Sequence, residues 1–73
     1  MKMKDLTEMK NLLEANRDYY SDKIRQIQAK GNKATSAENE LKNYYIGKRG
    51  ALNEVIAMIK ERLDEAFVES LVR

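Results

Sequence analysis

The chain has no cysteine and no histidine among its 73 residues. The lack of cysteine excludes disulfides and thiolate metal sites, and the lack of histidine removes the commonest general base near neutral pH. Proline is also absent, so no helix is kinked or broken by a proline. We therefore predict no enzyme activity, no catalytic residues, no cofactor and no metal site.

Long apolar runs are missing too. No stretch reaches the roughly 18 apolar residues that a membrane-spanning helix needs, and the first residues lack the apolar run of a signal peptide. The net charge of +2 is too small to indicate nucleic acid or a membrane surface by itself. Together with the lack of cysteine, these features predict a cytoplasmic protein without a membrane partner.

The residues that are present favour long helices. Charged residues make up 36% of the chain and apolar residues 42%, a composition typical of helical hairpins and coiled coils. Apolar residues recur at steps of three and four, which predicts two amphipathic helices. The first carries Leu6, Met9, Leu13, Tyr20, Ile24 and Ile27, and the second carries Leu41, Tyr45, Leu52, Val55, Ile56, Ile59, Leu63, Ala66, Phe67 and Leu71.

The first helix is predicted to span about residues 5–30. Asp5 is suited to the N-cap, with Glu8 in the capping-box position three residues later. Gly31 and Asn32 mark the end of the helix, because glycine adopts the left-handed conformation without a Cβ penalty and asparagine tolerates it.

The second helix is predicted to span about residues 36–72. Thr35 and Glu38 form a second capping box, which leaves a turn at 31–35. Because so short a connection makes the two helices antiparallel neighbours, we predict an all-α antiparallel hairpin in a single domain, residues 1–73.

The second helix is the longer of the two, by roughly 15 Å at 1.5 Å per residue. Its apolar end therefore lacks a partner within the hairpin, and we predict a homo-oligomer, either a dimeric four-helix bundle with coiled-coil-like packing or a higher assembly. The residues predicted to form the oligomer interface are Leu13, Asn16, Tyr20, Tyr45, Gly47, Leu52, Ile56, Ile59, Leu63, Phe67 and Leu71.

Two of these residues have alternative interpretations. Asn16 either lies between the helices, where a polar residue fixes register, or sits at the edge of the contact. Gly47 either permits close helix packing or a kink, or is simply exposed.

The tyrosines and basic residues near the turn also have two interpretations. The doublets Tyr19-Tyr20 and Tyr44-Tyr45 are predicted to meet at one level, either as a structural aromatic layer or as a platform for a planar ligand. The surrounding cations either form a solvated surface or contact phosphates. The candidate nucleic-acid contacts are Lys23, Lys30, Lys33, Lys42, Lys48 and Arg49.

A carboxylate stripe at Glu61, Glu65 and Glu69 is predicted to be a solvated face or to meet basic residues of a partner. A metal site is less favoured, since helical-bundle metal sites of this type use histidine as well.

The stretch Tyr45 to Ile56, which contains Gly-Lys-x-x-Ala-Leu-x-x-Val-Ile, resembles a pattern of many small phage and prophage proteins, commonly helical hairpins. The resemblance implies a phage-borne accessory protein that binds a host or phage protein. We therefore predict a non-enzymatic protein-binding accessory module with a partner of unknown identity. The alternatives are a small basic protein that contacts nucleic acid through its turn end, and a structural assembly or scaffold subunit.

Overall fold

The computed structural model describes residues 3–72 and confirms the predicted all-α hairpin. Helix α1 spans Met3–Gln28 and helix α2 spans Ser36–Val72, with a short 3-10 turn at Gly31–Lys33 between them. The second helix has the predicted bounds, whereas α1 begins and ends two residues earlier than predicted. Asp5 lies inside the first turn of α1, so the predicted N-cap at this residue is wrong.

The turn is held by the predicted capping box. The Glu38 N–H donates to Thr35 Oγ1 over 3.1 Å, and the Thr35 N–H donates to Glu38 Oε1 over 3.0 Å. Gly31 has φ +55°, the left-handed conformation that favours glycine. Lys30 forms an ion pair with Glu38 across the turn. These contacts satisfy the helix ends and direct α2 back along α1.

The two helices meet along one line of contact, here called the seam. Its members are separated by alternating steps of four and three residues, the spacing of a coiled coil. They are Leu6, Lys10, Leu13, Arg17, Tyr20, Ile24 and Ile27 in α1, and Lys42, Tyr45, Arg49, Leu52, Ile56, Ile59, Leu63 and Ala66 in α2. Only Ile24, Ile27, Ile56 and Ile59 are buried, while the others are half-buried.

The seam differs from the predicted apolar stripe at several positions. Met9, Leu41 and Val55 were predicted to face the other helix, but they are exposed. The half-buried residues at four seam positions are instead Lys10, Arg17, Lys42 and Arg49. Met9, Leu41 and Val55 each precede a seam position by one residue, so this part of the apolar stripe remains outside the seam.

The two long cations that α1 contributes to the seam form ion pairs at their charged ends. Lys10 Nζ lies 3.2 Å from Glu14, and Arg17 Nη2 lies 3.9 Å from Glu14 and 3.1 Å from Asp18. Their aliphatic stems can pack along the seam while the charges stay near water.

The end of α2 extends beyond α1 in the described residues. Tyr20 is level with Tyr45, so Met3 is level with about Arg62 in an antiparallel pair. Phe67, Val68 and Leu71 follow this point and are all exposed. We call the exposed surface of Phe67, Val68 and Leu71 the extension. No helix of residues 3–72 is both long enough and apolar enough to span a membrane.

Candidate protein-binding surfaces

A second apolar surface runs along one side of the hairpin. Each of its residues immediately precedes a seam residue in the sequence. In an antiparallel pair of helices, the residues that precede the seam positions of one helix lie on the same side of the pair as those that precede the seam positions of the other. We call this surface the apolar flank. Its large apolar members are Met9, Leu12, Tyr19, Leu41, Tyr44, Val55 and Met58, all of which are exposed.

A groove on the apolar flank joins the two helices near the open end of the hairpin. Its volume is about 460 Å³, and its lining residues are Leu6, Met9, Val55, Met58, Ile59, Arg62, Glu65, Ala66 and Glu69. Apolar side chains from both helices thus share one concave surface, with carboxylates at one end.

The tyrosine doublets meet as predicted. The ring centroids of Tyr20 and Tyr45 are 5.6 Å apart across the seam. Tyr19 and Tyr44 contact the inner rings at 5.5 and 5.9 Å and remain about half exposed on the apolar flank. The aromatic layer therefore contributes one tyrosine from each helix to the seam and the other to the surface.

Charge is distributed unevenly along the apolar flank. Lys23 Nζ lies 5.4 Å from the centroid of Tyr19, and Lys48 Nζ lies 5.4 Å from the centroid of Tyr44. These cations are near the turn. The flank positions at the open end instead hold Asp5, Arg62 and Glu65, and Glu69 lies one turn beyond Glu65 along the same groove. The apolar flank is thus basic at the turn and acidic at the open end.

The opposite side of the hairpin, here called the polar flank, consists of the residues that immediately follow the seam residues from Leu6 to Ile27 and from Lys42 to Ile59. Alongside α1 it contains a single large apolar side chain, Ile46. Its members are Thr7, Asn11, Glu14, Asp18, Ser21, Arg25, Gln28, Asn43, Ile46, Gly50, Asn53, Ala57 and Lys60.

The predicted interface residues fall into different parts of this structure. Seven lie in the seam, where they face the other helix of the same chain. They are Leu13, Tyr20, Tyr45, Leu52, Ile56, Ile59 and Leu63. Asn16 is exposed on the apolar flank, and Phe67 and Leu71 lie in the extension. Their roles in an oligomer stay predictions.

Gly47 is exposed on the side of α2 that faces away from α1. A Cβ added to Gly47 would have no heavy atom within 4 Å. The prediction that Gly47 permits close helix packing is therefore wrong for the hairpin, because α1 lies against the opposite side of α2.

The candidate nucleic-acid contacts do not form a single surface. Lys42 and Arg49 are half-buried in the seam, and Lys33 lies in the turn. Of the six, only Lys23 and Lys48 lie at the turn end of the apolar flank, and Lys30 lies near Lys23 in the turn, paired with Glu38. The Lys30 ammonium and the Thr35 N–H hold the pKa of the Glu38 carboxyl below its ordinary value.

Among residues 3–72, no three acidic side chains are grouped in a way that could hold a metal ion. Glu61, Asp64, Glu65 and Glu69 instead line a shallow acidic surface beside Val68.

The sequence interpretation missed the apolar flank as a surface of its own. The sequence does contain a signal for this surface. A second series of apolar residues repeats at the same spacing as the seam and precedes it by one residue, as Leu12 precedes Leu13 and Tyr44 precedes Tyr45.

Comparisons with protein-family models, curated proteins and solved structures found no match to this chain.

Proposed function

We propose that the chain is a non-enzymatic protein-binding accessory module that oligomerises and binds another protein. The supporting observation is the excess of exposed over buried apolar side chains. Twelve large apolar residues are exposed among residues 3–71, whereas four are buried. Contiguous exposed apolar surface of this kind is typical of interaction sites. The resemblance of residues 45–56 to small phage proteins agrees with an accessory role.

The extension is the proposed site for the other protein. Phe67 and Leu71 are 57% and 69% exposed, and no part of α1 lies opposite them. An amphipathic helix of the partner fits this site, because Phe67 and Leu71 lie one turn apart on the same side of α2 and can share one apolar contact. Glu65 and Glu69 lie on a different side of α2, toward the apolar flank, so the extension and the flank are separate surfaces.

Site-specific photo-crosslinking in cells tests this proposal. A photoreactive residue at position 67 should give an adduct with one defined heterologous protein, whereas the same residue at position 53 on the polar flank should not. Leu71→Ser should then weaken binding of the identified protein by about tenfold, since it removes a leucine from the contact. Adducts from position 67 that contain only this chain, or no adducts, would refute partner binding at the extension.

Nucleic-acid binding is the second candidate function. It is favoured by the exposed Tyr19 and Tyr44 rings, each with a lysine beside it, since bases stack on aromatic rings next to cations. With so few cations on one surface, we expect no shift of short DNA or RNA at about 150 mM salt. A tight complex there that Lys23→Glu with Lys48→Glu abolishes would make nucleic-acid binding the preferred function.

A further inference from the structure

We propose that the apolar flank binds the apolar flank of a second copy, with the two hairpins antiparallel and related by a two-fold axis. The result is a four-helix bundle in which the basic turn end of each copy meets the acidic open end of the other. This inference rests on the oligomerisation included in the proposed function and specifies its surface and direction. It leaves the extension free for a different protein.

The size of the apolar flank suits a second copy. The Cα atoms extend over 58 × 17 × 15 Å, so a side along the long axis measures roughly 900 Å². A stable protein interface buries about 800 Å² from each partner. Seven of the twelve exposed large apolar residues lie on this side, whereas the polar flank alongside α1 has only Ile46. Covering the apolar flank therefore removes most of the unburied apolar surface of the hairpin in a single contact.

Charge complementarity selects the antiparallel direction. Lys23 and Lys48 occupy the turn end of the flank, and Glu65 occupies the open end, with Glu69 one turn beyond it. A parallel pair would place like charges together at both ends. An antiparallel pair places each lysine cluster against the carboxylates of the other copy, which favours association and suppresses the parallel arrangement.

The spacing of the charges agrees with a two-fold axis near the middle of the hairpin. Leu12 is approximately level with Glu54, the middle residue of α2. Lys23 lies 11 residues from Leu12 toward the turn, and Glu65 lies 11 residues from Glu54 toward the open end. Each distance is about 16 Å along the helix. A two-fold axis at this level therefore brings Lys23 of one copy level with Glu65 of the other.

The same axis places the groove of one copy near the tyrosines of the other. The groove at the open end is apolar with Glu65 and Glu69 at one side. The turn end offers Tyr19 and Tyr44, each with a lysine over its ring. An aromatic ring can fill the groove while its neighbouring lysine pairs with a carboxylate.

A leucine pair provides the first test. Leu12 and Leu71 are both 69% exposed, but Leu12 lies on the apolar flank and Leu71 lies in the extension. Light scattering of the full chain should give about twice the monomer mass of 8.5 kDa. Leu12→Ser should raise the dimer dissociation constant about tenfold or more, whereas Leu71→Ser should change it by less than about twofold. A wild-type mass of 8.5 kDa up to about 100 µM, or a mass above a dimer, would overturn the proposal.

Charge reversal provides the second test and remains informative if Leu12→Ser fails to fold. Lys23→Glu with Lys48→Glu should weaken the dimer, and Glu65→Lys with Glu69→Lys should weaken it as well. All four changes in one chain should restore the dissociation constant to within about threefold of wild type, because opposite charges again meet at each end. Restoration establishes the antiparallel direction. If the four changes give no recovery, or neither pair weakens the dimer, the proposed arrangement is wrong.

The two proposals fail separately. Loss of heterologous adducts from position 67 with an intact dimer would refute the partner site alone. A monomeric chain that still forms those adducts would refute the flank pairing alone.

Discussion

The two flanks of the hairpin are built from the same two helices, yet they differ in what they offer to other molecules. Alongside α1, the apolar flank exposes seven large apolar side chains and the polar flank exposes one, Ile46. The difference arises from single-residue offsets, because apolar residues precede the seam positions and polar residues follow them. A hairpin of this kind has one side suited to burial and one suited to water.

The two carboxylates of the polar flank, Glu14 and Asp18, are both paired with cations. Lys10 and Arg17 lie in the seam but direct their cationic groups to Glu14 and Asp18, which belong to the polar flank. Such exposed ion pairs contribute little stability, and they make the surface hydrophilic. Among the described residues, the middle of the apolar flank has no comparable set of ion pairs. Covering it with another protein surface therefore removes few charged groups from water.

The largest expected effect comes from the seam, which both flanks share. Ile24 is 2% exposed, and Ile24→Ala should lower the free energy of unfolding by about 2–5 kcal/mol through lost burial and a cavity. In so small a protein this should abolish most of the helical circular dichroism. Ile46→Ala on the polar flank should cost less than about 1 kcal/mol. Equal effects of the two changes would show that the seam does not carry the stability of the hairpin.

Asn16 tests the difference between the flanks directly. It lies on the apolar flank between Leu12 and Tyr19, where a polar residue reduces affinity but restricts register. Asn16→Leu should tighten self-association about tenfold and permit species larger than a dimer in sedimentation velocity. Asn11→Leu on the polar flank is the matched control and should leave self-association unchanged. A similar gain from both changes would contradict the distinction between the flanks.

Gly47 tests the side of α2 that belongs to neither flank. Because a Cβ there meets no heavy atom within 4 Å, Gly47→Ala should stabilise the hairpin by nearly 1 kcal/mol through helix propensity. Gly47→Leu should also stabilise it and leave the dimer unchanged. Gly31→Ala serves as a contrast and should destabilise by about 1 kcal/mol, since its φ is +55°. Weaker self-association of Gly47→Leu would place an interface on this side. Thermal melts measure the stability effects, and light scattering measures the association.

The smallest effect is expected at the turn, where α2 begins. The Lys30 ammonium and the Thr35 N–H lower the pKa of Glu38 from 4.5, so the ionised carboxylate stabilises the folded hairpin. This contribution is present above pH 4.5 and disappears as the pH falls through the lowered pKa. Glu38→Gln should therefore reduce the melting temperature slightly at pH 7, and the difference from wild type should vanish near pH 2. A constant difference at both pH values would rule out the charge as its cause.

Several features of the fold could be predicted from sequence because their causes are local. The capping box of Thr35 and Glu38 needs only residues three apart, and Gly31 is the residue that most readily takes a positive φ. The short turn then made the helices antiparallel. The meeting of the tyrosine doublets followed from counting residues on either side of that turn.

The surface could not be predicted in the same way. The sequence places apolar residues at both Leu12 and Leu13, and likewise at both Val55 and Ile56, so either member of each pair could face the other helix. Which member is buried depends on the rotation of two packed helices relative to each other, and this is a tertiary property. The periodicity by itself determined that apolar stripes exist and how long the helices are. Only the packing of α1 on α2 decided that Ile56 lies in the seam while Val55 joins the exposed apolar flank, because one helix can cover only one of two neighbouring stripes.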